Sequence, residues 1–183
     1  MKNKKFLLVG AFLLLSATMA FAQSWKPGDK APAFSAKASD GKTYSQDSLA
    51  KKGAVVLYFI KIDCPTNTEA IIYYKRLATA YKNAKISFIG VINGDKAAYD
   101  EWQKEHKVAF PVLLDPDKKI IRSYKAFRSP WTILVGKNKK IVKETPGYCT
   151  SSLEELNKLM AKAAGTKEKK CDFSGAPGDM RYG

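Results

Sequence analysis

The side chains best suited to covalent chemistry in this chain are its three cysteines, Cys64, Cys149 and Cys171. Cys64 follows a continuous apolar, β-rich run at residues 54–60 (AVVLYFI) and precedes Pro65. Proline in the first turn of a helix forfeits no hydrogen bond, so this order reads as a strand followed by a helix with Cys64 at its N-terminus. A thiol there sits at the positive end of the helix dipole, the setting that lowers a thiol pKa and supplies a nucleophilic thiolate. Among the flanking charges, Lys61 favours the thiolate and Asp63 opposes it. Free cysteine is often a small buried hydrophobe. The carboxyl edge of an α/β sheet, however, is where sites are built, and Cys64 reads as a reactive thiol.

Other chemistries find little support. His106 is the only histidine, and in Glu105-His106-Lys107 at a helix end it reads as a surface cap. One histidine without a C-x-x-C pair offers no metal-ligand set, and there is no Gly-rich phosphate loop or nucleophile elbow, so neither metal nor cofactor is expected. The formal charge of +15 comes from scattered lysines without an aromatic RNA-binding signature. It reads as a solvated basic surface with some attraction for anionic surfaces, and nucleic acid is not an expected partner.

The elements that must position Cys64 follow from periodicity. Residues 33–38 and 42–44 flank Asp40-Gly41 and read as a β-hairpin. The run at 54–60 reads as a central strand covered on both faces. Ala70, Tyr74, Leu77 and Tyr81 then recur at helical spacing from Pro65 to about Asn83. A second β run (86–92), a polar helix from about Asp95 to His106, a short strand (110–114) and a short helix through Ile120, Ile121 and Tyr124 follow. Strands at 131–135 and 140–143 form a hairpin around residues 136–139, and a closing helix starts at Thr150 or Ser151, with Ser151-x-x-Glu154 as capping box. The expected class is α/β: a thioredoxin-like fold with a mixed four- to five-stranded sheet flanked by helices and an N-terminal β-hairpin extension.

Three stretches are expected. Residues 1–22 read as a signal peptide: Lys2, Lys4 and Lys5, a short apolar run, then Ala20-Phe21-Ala22 as cleavage site. The run is too short to span a bilayer, which needs ~20 apolar residues. Cleavage after Ala22 would yield a periplasmic or secreted product. Residues 23–164 form the domain, and residues 165–183 an irregular, charged, Gly/Pro-containing tail.

Residues 27 to about 164 resemble the thioredoxin-like redoxins, the group that includes alkyl hydroperoxide reductase/thiol-specific antioxidant proteins and periplasmic thiol-disulfide oxidoreductases. The resemblance is carried by Gly28-Asp29-Lys30-Ala31-Pro32-Ala33-Phe34, by residues 55–65, by Phe110-Pro111-Val112-Leu113-Leu114-Asp115, and by Ser129-Pro130-Trp131-Thr132-Ile133-Leu134-Val135. It implies catalytic roles for three residues. Cys64 would be the nucleophile. Pro130 resembles the proline whose preceding peptide bond is cis and lies against the active cysteine. Arg128 resembles the arginine that peroxidatic members place beside their thiolate. The chain also departs from both subfamilies. Where thiol-disulfide oxidoreductases carry C-x-x-C it has Cys64-Pro65-Thr66-Asn67, with an amide at the usual resolving position, and where peroxidatic members carry a proline and a threonine it has Leu57 and Lys61.

A resolving thiol could come from elsewhere in the chain, with Cys149 the better candidate and Cys171 the other. In the expected fold the last strand runs parallel to the central one, so Cys149 emerges on the same sheet edge as Cys64, with one strand between. Two interstrand steps of ~4.8 Å exceed the ~5.5 Å that a disulfide allows between Cα atoms. Three cysteines in an oxidising compartment leave one over, and Cys149–Cys171, Cys64–Cys149 and Cys64–Cys171 pairings all stay open.

The sequence thus supports an exported thiol-dependent oxidoreductase, acting on peroxide or on a protein disulfide or thiol and regenerated by a reductant. Its alternative is a binding module that keeps the fold without turnover.

Overall fold

In a computed structural model the described residues are 24–183. The expected signal peptide and its cleavage point lie outside them. Strands β1 (Ser35–Lys37) and β2 (Thr43–Ser45) form the N-terminal hairpin, followed by helix α1 (Gln46–Lys52). Then come β3 (Ala54–Ile60), α2 (Pro65–Ala80), β4 (Ile86–Ile92), α3 (Lys96–His106), β5 (Val112–Leu114) and α4 (Lys119–Ser123). The chain closes with β6 (Trp131–Val135), β7 (Ile141–Pro146) and α5 (Thr150–Ala164).

The main sheet has the order β5-β4-β3-β6-β7. β3, β4 and β5 are parallel, β6 is antiparallel to β3, and β7 is antiparallel to β6. This is the thioredoxin-like arrangement, with β3 at the centre. Every residue of β3 is buried, because its alternating side chains enter two cores. Ala54, Val56, Tyr58 and Ile60 join the face covered by α2, α3 and α5, while Val55, Leu57 and Phe59 join the face covered by α1, α4 and the hairpin. The four α2 positions at spacings of four, three and four, Ala70, Tyr74, Leu77 and Tyr81, are all buried, so that helix is fixed by its apolar stripe.

Several local expectations change. Helix α1 was not anticipated, although Ser45 and Ser48 cap it reciprocally: each hydroxyl accepts from the other residue's amide at 3.1 Å. The cap of α5 lies two residues before the expected Ser151, since Cys149 is the N-cap and its N–H donates to Ser152 Oγ at 2.8 Å. His106 does end α3, but it is buried and not a surface cap, its ring centroid 4.5 Å from that of Trp102.

The tail is irregular yet docked. It leaves α5 through Gly165 in the left-handed region, and then folds back against α2 and the start of α5. Asn157 Nδ2 donates to the Lys169 carbonyl at 2.8 Å, Arg76 to that of Asp172 at 2.6 Å, and the Thr150 N–H to that of Pro177 at 2.8 Å. No disulfide contributes: Cys64, Cys149 and Cys171 are all free thiols, so none of the three pairings left open by the sequence is formed here. Among the described residues no helix is long and apolar enough to cross a membrane.

Candidate functional site

The site forms where β3 ends. The Lys61 N–H donates to Ser129 Oγ at 3.3 Å, and the Ile62 N–H donates to Asn93 Oδ1 at 2.9 Å, tying the loop to the segment before β6 and to the end of β4. Asp63 then takes a left-handed conformation (φ 63°), which aspartate tolerates better than most residues, and the chain turns into α2. Cys64 is the N-cap of α2 and Pro65 its first residue. The Cys64 carbonyl accepts from the amides of Asn67 (3.0 Å) and Thr68 (3.1 Å), so the sulfur is held at the mouth of the helix.

Cys64 Sγ lies 3.7 Å from the Ser129 carbonyl oxygen. Ser129 is buried, its hydroxyl donates to the Phe59 carbonyl at 3.4 Å, and the Ser129-Pro130 peptide bond is cis. The thiol is itself 4 % exposed. What covers it includes residue 183: Gly183 and Ser129 exchange both backbone hydrogen bonds, at 2.7 and 3.0 Å.

Beneath the sulfur, Asn67 is buried, and its Oδ1 accepts a hydrogen bond from the Tyr58 hydroxyl across the α2–β3 interface. Asn67 Nδ2 has no partner. Burial, together with the neighbouring Tyr74 and Cys64, holds the Tyr58 phenol protonated well above its ordinary range. The residue at the usual resolving position is therefore bonded into the core, away from the surface.

Cys149 occupies the matching place one element over. β7 runs parallel to β3 with β6 between, and Cys149 caps α5 as Cys64 caps α2. Burial pushes the Cys149 thiol up, but hydrogen bonds from Ser151 and Ser152 outweigh it and hold the thiol below its ordinary value. Its Sγ is 3.2 Å from Ser151 Oγ. Tyr148, just before it, donates to Glu69 Oε2 on α2 at 3.2 Å, and burial followed by the Glu69 charge pushes that phenol up to about 12. Cys171 is half-buried in the tail, with its thiol raised by burial and by Glu168. Arg128 is exposed, and its guanidinium lies 4.4 Å above the ring of Tyr182.

The structure thus brings Cys64, Pro65, Asn67 and the Ser129-Pro130 bond into one place, with Asp63 turning the chain into it. Cys149 lies along the same edge, and Cys171 lies in the docked tail. Sequence reasoning named Ser129 through its bond to Pro130 and missed Tyr58, Tyr148, Glu69 and Gly183.

A thiol at a helix N-terminus beside a backbone edge, here paired with Gly183, is an arrangement suited to nucleophilic attack on sulfur. The chain is 28% identical over 162 residues to the thiol-disulfide oxidoreductase ResA of Bacillus subtilis, covering 83% of this chain and 90% of that one. It is 25% identical over 97 residues to peroxiredoxin Q of Oryza sativa, covering 53% of this chain and 45% of that one. In fold it is similar to a putative protein disulfide isomerase from Bacteroides thetaiotaomicron, with TM-score 0.71, 22% identity and coverage of 77% and 91%. It is also similar in fold to a putative thiol:disulfide interchange protein, DsbE, from Chlorobium tepidum, with TM-score 0.70, 22% identity and coverage of 78% and 100%. Residues 27–144 match the AhpC/TSA family, to which this chain belongs.

Proposed function

We propose that this protein is an exported thiol-disulfide oxidoreductase with Cys64 as its nucleophile. The observation that carries the reading is the placement of the Cys64 thiol as N-cap of α2, 3.7 Å from the Ser129 carbonyl. The Cys64 thiolate attacks one sulfur of a substrate disulfide. The other sulfur leaves as a thiolate and takes up a proton, and a mixed disulfide remains. A second thiol then attacks the Cys64 sulfur, releasing the reduced substrate and leaving Cys64 in a new disulfide, which an external dithiol returns to the thiol with two electrons. Cys149 supports the role of second thiol through its lowered pKa and its position on the same sheet edge.

Disulfide rather than peroxide chemistry is supported by the near full-length similarity to ResA, against half-length similarity to peroxiredoxin Q. The engagement of Arg128 with Tyr182 points the same way. Export rests on the basic, apolar and A-x-A pattern of residues 1–22.

The test is reduction of a protein disulfide by the purified chain with a dithiol donor. The wild type should turn over, Cys64→Ser should be inactive, and Cys149→Ser should accumulate the mixed disulfide on Cys64. Equal turnover by wild type and Cys64→Ser would end the assignment. Faster consumption of hydrogen peroxide than of disulfide would favour the peroxidatic branch.

A further inference from the structure

The docked tail does more than cover the thiol, because its last described residues pair backbone to backbone with the site as a short extended segment. Arg181 and Tyr148 exchange backbone hydrogen bonds at 2.8 and 2.9 Å, and two residues on, Gly183 and Ser129 exchange theirs at 2.7 and 3.0 Å. Residues two apart in an extended chain present their amides to the same side, so residues 181–183 are read by one continuous backbone edge built from Tyr148 and Ser129. That edge is itself locked, since the Gly147 N–H donates to the Pro130 carbonyl at 2.8 Å.

Each side chain of the segment has a receiver. Arg181 Nη1 reaches Glu69 Oε2 at 3.5 Å, the carboxylate oxygen that also accepts from Tyr148. Tyr182 lies under the Arg128 guanidinium at 4.4 Å. Gly183 faces the thiol: a Cβ built there would stand 2.7 Å from Cys64 Sγ, 3.4 Å from Thr66 Oγ1 and 3.7 Å from the Ser129 carbonyl. No unbonded side chain fits at 2.7 Å from the sulfur, so glycine is what lets the segment lie on it. In a disulfide the partner's Cβ stands ~3 Å from the far sulfur across an S–S bond of ~2.04 Å, so a bonded cysteine is the side chain this site could take in place of glycine.

We propose that residues 181–183 act as an internal pseudosubstrate. The Ser129–Tyr148 edge accepts an extended polypeptide carrying an oxidised cysteine at the place of Gly183, with an aromatic residue before it and a cationic residue before that, and the tail leaves as the substrate enters. The substrate half of the proposal rests on the disulfide-exchange reading above, and the tail half rests on geometry alone. Docking places the substrate cysteine on Cys64. The Cys64 thiolate forms a bond to the near sulfur, the substrate S–S bond breaks, and the far sulfur departs as a thiolate and is protonated, so one disulfide replaces another. Glu69 selects the cation and Arg128 selects the aromatic ring.

The experiment compares the wild type with Gly183→Val, whose side chain cannot lie on the sulfur, and with a variant lacking residues 180–183, all of which are exposed. Iodoacetamide labelling of Cys64, resolved by peptide mass, should be about tenfold faster or more in both variants, because the thiol reacts only in the fraction of molecules whose tail is off. Equal labelling rates in all three proteins would overturn the tail assignment. The peptides Arg-Tyr-Cys and Glu-Gly-Cys, each as a mixed disulfide with 2-nitro-5-thiobenzoate, then probe the freed edge by release of the coloured thiol. The truncated protein should favour Arg-Tyr-Cys about fivefold or more, from one added ion pair and one cation–π contact, and equal rates would overturn the substrate pattern. Faster labelling without release from either peptide would overturn disulfide exchange itself while supporting the tail as a cover.

Discussion

The Tyr58 hydroxyl donates to Asn67 Oδ1 across the interface between the central strand and the helix that carries the thiol. Both residues are buried, at 0 % and 2 % exposure, so neither group has water to fall back on. Tyr58→Phe strands the Asn67 oxygen and should cost about 1–3 kcal/mol in urea denaturation. Combining it with Asn67→Leu removes both polar partners, and the double variant should recover most of the loss. A double variant no more stable than Tyr58→Phe would mean that a stranded Asn67 oxygen is not what costs the single variant its stability.

Cys149 should alkylate as a thiol of lowered pKa. In a Cys64→Ser, Cys171→Ser background, the midpoint of its iodoacetamide rate against pH is expected below that of the unfolded chain's thiol, because hydrogen bonds from Ser151 and Ser152 outweigh the opposing effect of burial. Ser152→Ala should move the midpoint up and, by removing half of the cap, cost about 1 kcal/mol of stability. A midpoint unchanged by this substitution would exclude the serine as the cause.

Stability should fall on the acid side of neutrality through His106. Burial lowers its pKa, with Lys75 adding to the effect and Glu105 opposing it. The unfolded chain therefore binds the proton first, and stability present above the unfolded value of ~6.5 is lost as pH falls from there through the lower folded value. His106→Gln should flatten that slope between pH 7 and 5 in thermal melts, whatever it does to the absolute stability.

Gly53 joins α1 to β3 with φ 157°, and a Cβ there would stand 2.0 Å from the Lys85 carbonyl oxygen. That oxygen accepts the Ala54 amide at the start of the sheet, so it cannot retreat without breaking the ladder. Gly53→Ala should destabilise by about 1–3 kcal/mol in denaturant titration. An unchanged midpoint would show that the α1–β3 junction yields freely.

The sheet was legible because its strands are apolar runs and its helices carry a regular stripe. Cys64 was legible for the same reason, lying at the junction of two strong signals followed by proline. Asn67 was recognised as a departure, but its bond to Tyr58 was not, since a tyrosine within an apolar run reads as core and its hydroxyl leaves no trace in the periodicity. The cap of α5 was displaced by two residues because a cysteine is not a residue that capping rules favour. The docking of residues 165–183 left no periodic pattern: it combines hydrogen bonds to backbone carbonyls with isolated contacts of Cys171, Phe173 and Ala176 on the core and of Arg181 and Tyr182 at the site. His106 was misplaced because its polar neighbours in sequence point outward while its own ring turns in against Trp102.

Cys64 is at once the nucleophile candidate and the cap of its helix, for its carbonyl anchors the amides of Asn67 and Thr68. Were the proposed Cys64–Cys149 bond to form, the sulfur would pull on that anchor, and the redox state of the thiol would be geared to the winding of the first turn of α2. Hydrogen exchange at those two amides would then follow the oxidation of the protein, giving a readout of electron flow in the backbone itself.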